Sequence, residues 1–566
     1  EDEISEAISN TEMIANRCEN FAIDRSPKIP KATKSLLEAE RIIREWCQEG
    51  LERIGKENDK EYIERLENEL SVMRKLKVFD YFVIVGDMVR WAKDQGIRVG
   101  PGRGSAVGSL VNYLIRITAV DPIGYGLLFE RFLNEHRSSL PDIDVDFQSD
   151  KRDLVKQYLH DKWGEEYVVN ISAFQSFGFR AVISDVARVL NVPFNEVKRA
   201  TSSIPQKTWG ETLESLIEIT PELQKFFEKY PKVKLHAERL QGQIKGQSEH
   251  AGAVIITNKP ALDCIPMMRS KDGGMVTQWS ERANAQLISP YGFLKIDCLA
   301  TDGLTMQAET IRRIEENTGK KINFDNPREF PFLESPYKVD PKVIEMFSSG
   351  HNLGIFQFAG SSGIVGLLKD IRPENLEHII ATNALYRPGT IANGVAFEYA
   401  RRKNGETYWK IPHESLHQYL DTTYGFMIFQ EQVMQIFQAL GKDVTPAETD
   451  IFLKVVAKGI ARDLEGKQKM QKYYDQFVAG CVEKEIDQKT YDEIWSQILE
   501  MSTYSFNKSH STGYGVQAYQ DAFLKTYYPL ELYASLLSTE MRSSNEPQKK
   551  VTKVIKEANS IGVKIL

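Results

Sequence analysis

Pro141-Asp-Ile-Asp-Val-Asp-Phe147 sets three carboxylates at alternate positions. Strict alternation reads as a β-strand, with Asp142, Asp144 and Asp146 on one face and Ile143, Val145 and Phe147 on the other. Three like charges on one strand face repel, and aspartate is a poor strand former, so the arrangement calls for a compensating cation. Same-face neighbours lie about 6.6–7 Å apart along a strand, so their carboxylates can converge on one pair of ions. Hard oxygen ligands of this kind suit Mg²⁺ or Mn²⁺. The blander alternatives are a solvated edge strand or a calcium loop. An EF-hand is excluded, because the required glycine is missing and the twelfth residue from Asp142 is Asp153 rather than Glu.

A glycine loop, Val99-Gly-Pro-Gly-Arg-Gly-Ser-Ala-Val-Gly-Ser109, stands between an expected strand and an expected helix. Backbone N–H groups at such a helix start form a phosphate cradle, and Arg103 adds a permanently charged fork suited to phosphate oxygens. Walker A is excluded because no Gly-Lys-Ser/Thr follows, and glycines at 100, 102, 104 and 108 do not have Rossmann spacing. A glycine turn that merely permits close packing is the competing reading. Gly292-Phe-Leu-Lys-Ile-Asp-Cys298, if a strand, puts Lys295 and Asp297 on one face, where a carboxylate can complete a metal site and an ammonium can meet a phosphate. Alone, a Lys-x-Asp pair is more often a surface ion pair.

Cation-rich segments with aromatic residues follow: Leu385-Tyr-Arg-Pro-Gly389, the stretch from Lys454 through Lys458 to Arg462, and Tyr504-Ser-Phe-Asn-Lys-Ser-His-Ser511. The last combines Lys508 and His510 with hydroxyls and rings, a mixture able to contact phosphate, sugar and a base face together. Each taken singly is more often a solvated face or turn. His250, ahead of an apolar strand, is either a backbone-phosphate contact or a satisfied structural histidine. Carboxylates for two metals, a glycine cradle and dispersed cations fit phosphoryl or nucleotidyl transfer assisted by divalent ions.

The elements that must position these groups read as an α/β module interrupted by a helical insertion and followed by a long, mainly helical region. Residues 4 to 18 carry an apolar helical stripe, and 35 to 76 read as two charged amphipathic helices. An apolar helix is expected from Tyr81 to Lys93, a strand at Ile97–Val99, a helix from about 105 to 117, helices from 176 to 240, and strands at 253–256 and 293–298. The chain has 566 residues, 42% hydrophobic and 27% charged, enough for several cores. A net charge of -7 argues only weakly against a polyanion partner, because affinity depends on where cations sit. Five scattered cysteines with no CxxC or Cys/His pattern indicate neither zinc nor disulfides.

The Gly-Pro-Gly-Arg-Gly-Ser loop, Leu128-Phe-Glu-Arg-Phe-Leu-Asn134, Pro141–Phe147, His250-Ala-Gly252, Lys295-Ile-Asp297, Tyr386-Arg-Pro-Gly389, Gln430-Glu-Gln-Val-Met-Gln435 and Phe506-Asn-Lys-Ser-His-Ser511 occur in this order. Together they resemble the α-subunit family of bacterial DNA polymerase III, the family C replicative polymerases. The resemblance implies a nucleotidyltransferase-type (pol β-like) palm at residues 21–175 and 254–304, a helical thumb at 176–253 and large helical fingers at 305–566, with 1–20 as the trailing edge of an N-terminal domain. By position, Asp144, Asp146 and Asp297 match the family's catalytic, metal-binding carboxylates, with the role of Asp142 open. Arg103, Gly104, Ser105 and Lys295 match its triphosphate-binding part, and Arg387, Lys508 and His510 match the wall facing the incoming nucleotide. His250, Lys454 and Lys458 are candidate DNA contacts. The family's Arg-Arg-Ala-Met-Gly-Lys-Lys run stands here as Leu453-Lys-Val-Val-Ala-Lys-Gly459, and Cys-Leu-Ala follows Asp297 in place of Phe-Leu-Gly.

The expected activity is template-directed DNA synthesis with two Mg²⁺ ions (Mn²⁺ as substitute), on primer-template DNA and deoxynucleoside triphosphates. The alternatives are a metal-dependent nuclease or phosphohydrolase, and an inactive DNA-binding scaffold. A cytoplasmic protein without membrane segments is expected, either a cut-down, phage-type form or one whose clamp- and replisome-binding regions lie outside these residues.

Overall fold

The computed structural model describes residues 2–19, 22–135, 141–205, 212–271, 273–280, 288–457, 464–502, 505–543 and 546–565. Among these, helices predominate, with strands β1 (Asp144–Gln148), β2 (Val168–Ser176), β3 (Ile244–Ile256), β4 (Met267–Arg269), β5 (Met275–Ser280) and β6 (Lys295–Thr301) set between them. The chain divides into two compact units, residues 27–165 with 294–566, and residues 1–26 with 166–293. One boundary therefore falls at 293/294, inside the 254–304 stretch expected to form a single part.

In the larger unit, β1 and β6 pair in parallel, with Asp144 opposite Asp297 and Gln148 opposite Thr301. The strand expected from Pro141 starts later: Asp142 and Ile143 precede the ladder, and the Ile143 N–H donates to the Tyr81 hydroxyl at 2.9 Å instead of to a strand. The expected strand at Ile97–Val99 is reduced to an isolated bridge between Val99 and Phe147, beside hydrogen bonds from the Gly100 N–H to the Asp146 carbonyl and from the Gln148 N–H to the Arg98 carbonyl. The two charged helices form as Leu36–Ile54 and Lys60–Leu76, each started by a side-chain cap, Ser35 or Asp59, that accepts a backbone N–H.

The helix expected over 105–117 is broken. A 3-10 turn spans Gly104–Gly108, and a new helix runs only Leu110–Leu114. The break has a specific cause. The buried Glu69 carboxylate accepts the Leu110 and Val111 N–H groups (2.9 and 3.1 Å) and the Ser109 hydroxyl (2.7 Å), and Arg65 balances it at 2.8 Å. Those N–H groups need an outside acceptor because they begin a helix.

The helix Lys508–Tyr527 runs through the middle of the larger unit, buried on almost every side. Its Gly513 lies against the glycine loop: a Cβ there would stand 2.1 Å from the Gly102 carbonyl oxygen. One apolar core gathers Phe324, Phe332, Ile380 and Tyr519, and a second gathers Phe437, Phe452, Phe477 and Ile494.

In the smaller unit, β2 pairs antiparallel with β3 and parallel with β5, and β4 pairs antiparallel with β5. Helices Phe179–Val189, Phe194–Ser203, Leu213–Ile219, Pro221–Lys229 and Pro231–Leu240 bury Ile183, Leu216 and Leu223 among themselves. Pro221 and Pro231 sit at helix starts, where their missing N–H has no partner to lose. The helical insertion stops at Leu240, and β3 begins at Ile244, ahead of the strand expected at Ala253. The helix Asp2–Cys18 forms as expected, with Ile4, Ile8 and Ile14 of its apolar stripe exposed.

Candidate active site

Parallel pairing of β1 with β6 brings Asp144 and Asp297 side by side. One carboxylate oxygen from each of Asp142, Asp144 and Asp297 lies within 4.8 Å of the others, so the residue just ahead of β1 joins two on the strands. Asp146 behaves differently. It is buried, receives a hydrogen bond from the Thr301 hydroxyl at 3.2 Å, and pairs with the Arg103 guanidinium at 3.3 Å. Arg103 also reaches Asp144 at 3.8 Å, and Lys295 pairs with Asp297 at 2.9 Å. Two cations thus sit against four carboxylates.

The electrostatics record the imbalance. Burial, reinforced by the neighbouring charges of Asp142 and Asp297, pushes the Asp144 carboxyl up to about 6, against the opposing pull of Arg103 and Lys295. Hard, crowded carboxylate oxygens whose mutual repulsion raises a pKa are the donor set a divalent hard cation relieves, and the residues present fit such an ion.

The glycine loop is held over this site by the long buried helix. Gly104 has φ 65°, a left-handed conformation open to glycine, and its N–H donates to His510 Nδ1 at 3.0 Å. Burial, then the charges of Arg103 and Arg387, lower the His510 pKa to about 4, so the ring is neutral and Nδ1 free to accept. Its ring packs against Tyr514 at 4.3 Å and edge-on against Phe506 at 5.4 Å, and Arg387 lies 4.7 Å over the Phe506 ring. Ser105 lies within the 3-10 turn.

The other residues singled out in the sequence have partners of their own or lie outside the described residues. Lys508 is committed to packing: its ammonium meets Glu377 and the Tyr125 carbonyl, both at 3.1 Å. Lys454 is half-committed, paired at 2.5 Å with Asp450, which Arg131 also approaches at 3.5 Å. Lys458 and Tyr504 lie outside the described residues. His250 belongs to the smaller unit, on β3, where Nδ1 accepts the Gly252 N–H at 3.3 Å.

Two participants escape a sequence reading. Thr301 shares a face of β6 with Asp297, four residues on, a signal present in the alternation. Tyr514 lies one helical turn beyond His510, and its phenol pKa is raised by burial and by Asp146 and Asp144 against the pull of Arg103.

Adjacent parallel strands carry clustered carboxylates able to hold a divalent cation, beside a glycine loop and an arginine fork. The comparisons with known proteins give the family. Residues 41–300 match the bacterial DNA polymerase III alpha NTPase domain, and residues 303–485 match the bacterial DNA polymerase III alpha subunit finger domain. DNA polymerase III subunit alpha of Campylobacter jejuni is 34% identical over 100% of this chain and 47% of its own length. The Thermus aquaticus protein of that name is 36% identical over 93% of this chain and 41% of its own length. The Bacillus subtilis one is 34% identical over 99% and 48%. The chain belongs to the bacterial DNA polymerase III α-subunit family, and it spans about half the length of the curated relatives it matches. No helix among the described residues is long and apolar enough to cross a membrane.

Proposed function

We propose that this chain carries the polymerase active site of a template-directed DNA polymerase, extending a primer 3′ end with deoxynucleoside triphosphates. The observation that carries the reading is the convergence of the Asp142, Asp144 and Asp297 carboxylates beside the Arg103–Gly104 loop. In this reading β1 and β6 are the catalytic strands of a palm (21–175 and 254–304), 176–253 forms the thumb, and 305–566 forms the fingers. Asp144 and Asp297 hold divalent ions, with Asp146 and Asp142 as the adjoining carboxylates. Two Mg²⁺ ions, when bound, supply Lewis-acid activation of the attacking hydroxyl and charge neutralisation on the departing pyrophosphate.

The chain's own groups do the rest. Arg103 is a permanent cation next to the carboxylates, and a planar guanidinium can trade a carboxylate for phosphate oxygens without changing charge. Lys295 offers a point charge from the same face as Asp297. His510 is neutral and fixes the loop backbone rather than moving a proton, since its Nδ1 is occupied by the Gly104 N–H. Tyr514 and His510 present ring surface beside Arg103, where a flat base or sugar can pack. Contacts to duplex DNA through phosphates make binding salt-dependent and largely indifferent to sequence.

Primer extension with Mg²⁺ tests the reading. Asp144→Asn and Asp297→Asn are expected to lose about a thousandfold or more in extension rate, as removal of charge at a preorganised electrostatic site does. Parent-like extension by either variant refutes the assignment. Shortening of a labelled primer without added nucleotide points instead to hydrolysis at the same carboxylates.

A further inference from the structure

A second cavity in the larger unit, of about 350 Å³, shares no lining residue with the carboxylate site. Its wall joins the helix Leu36–Ile54, the helix Phe79–Asp94, the end of Leu110–Leu114 and the turn at 323–326, and it carries Arg53, Arg90 and Arg116.

Its donors and acceptors are unequally spent. Of the acidic groups, Glu49 is paired with Arg90 at 2.8 Å, and Asp325 with the buried Lys93 at 2.8 Å. Burial alone would raise the Asp325 pKa, but Lys93 and Arg98 hold it at about 2, so it is a fixed, satisfied anion. Asn323 and Asn326 each spend the amide oxygen on a backbone N–H, at 3.1 and 3.2 Å, which leaves NH₂ donors as the other polar ends of those side chains.

The arginines are under-used. Arg53 gives its terminal nitrogens to the Tyr113 and Asp325 carbonyls (3.2 and 3.5 Å), while its buried Nε–H has no acceptor. Burial lowers its pKa against the opposing pull of Tyr113 and Asp325, and the like charge of Arg116 adds to the lowering. Arg116 pairs distantly with Asp94, at 3.8 Å, and its charge also acts on Asp325. It also has φ 73°, the left-handed conformation in which a helix is usually ended by glycine. A bulky charged residue is thus held in a strained backbone conformation in the wall of this cavity.

We propose that this cavity binds a small phosphorylated anion, inorganic pyrophosphate or the polyphosphate of a nucleotide. Tetrahedral, multiply charged oxygens match a cavity lined by three guanidinium groups and two side-chain amides, and guanidinium forks favour phosphate geometry. A volume of about 350 Å³ suits a ligand of that size.

The test is calorimetric titration of the full chain in chelator, which strips divalent ions from the carboxylates, with pyrophosphate, dATP and sulfate at equal ionic strength. Pyrophosphate, dATP or both are expected to bind saturably at one site, and which of them does so identifies the source of the phosphate. Arg116→Gly should weaken that binding by about tenfold or more while the unliganded protein melts no lower, because glycine suits the left-handed position. Arg53→Gln should weaken it similarly. Absence of saturable binding by the parent, or equal affinity in the parent and Arg116→Gly, overturns the proposal.

Discussion

Asp144→Asn removes one negative charge from a group whose environment opposes it, so the metal-free protein should gain stability even as activity is lost. The displacement of the Asp144 carboxyl from 3.8 to about 6 corresponds to about 3 kcal/mol at neutral pH. Solvent screening at a side chain 32% exposed reduces this to about 1–2 kcal/mol. The sign follows from proton binding. With a raised folded pKa, the native state holds the proton more tightly than the unfolded chain, so Asp144 lowers stability as pH rises from about 4 to about 6. In chelator the variant should therefore melt about 1–4 °C above the parent near neutral pH. It should lose that advantage as pH falls below about 4, where both states carry the proton. Added Mg²⁺ should raise the parent more than the variant. A variant that melts below the parent in chelator, or an advantage that persists at low pH, refutes the electrostatic reasoning.

Gly513→Ala should destabilise by about 3 kcal/mol or more, because its Cβ would meet the Gly102 carbonyl oxygen at 2.1 Å and both partners are backbone; an unchanged denaturation midpoint would falsify that contact. His510→Ala leaves the Gly104 N–H without its acceptor and should cost about 1–3 kcal/mol, with His510→Asn recovering part. Between pH 6.5 and about 4 the unfolded chain binds the His510 proton that the folded one refuses, so stability falls as pH drops through that window. The pH slope of melting should flatten in both His510 variants. Glu69→Ala strips three donors and Arg65 of a buried acceptor and should cost about 3–5 kcal/mol in equilibrium unfolding, Glu69→Gln less.

The strands of the site were legible because alternation is local. Asp144, Asp146, Lys295 and Asp297 announce their faces from sequence alone, and the parallel pairing of β1 with β6 turns two such faces toward one point. What the alternation overstated was extent: Asp142 lies before the ladder because Tyr81, not a strand, takes the next N–H. The break at Ser109 was invisible, since it depends on Glu69, forty residues upstream in sequence. The ion pair of Lys508 was not legible either, since its partner Glu377 arrives from a distant helix. β2, β4 and β5 went unread, as short or mixed-polarity strands carry too weak a period to stand out. The long helix Lys508–Tyr527 hides its role differently: buried all round, it has no polar stripe to orient it.

Gly513 resting on Gly102 has a consequence for motion and for redesign. With no side chain between them, loop and helix share a joint of bare backbone, too tight to slide. The 3-10 turn and the rings of His510 and Tyr514 must then travel as one block. In the proposed polymerase, any adjustment to different nucleotides then falls to the rotamer of Arg103 or to elements around the block. A search for altered selectivity should randomise that perimeter and leave the joint untouched.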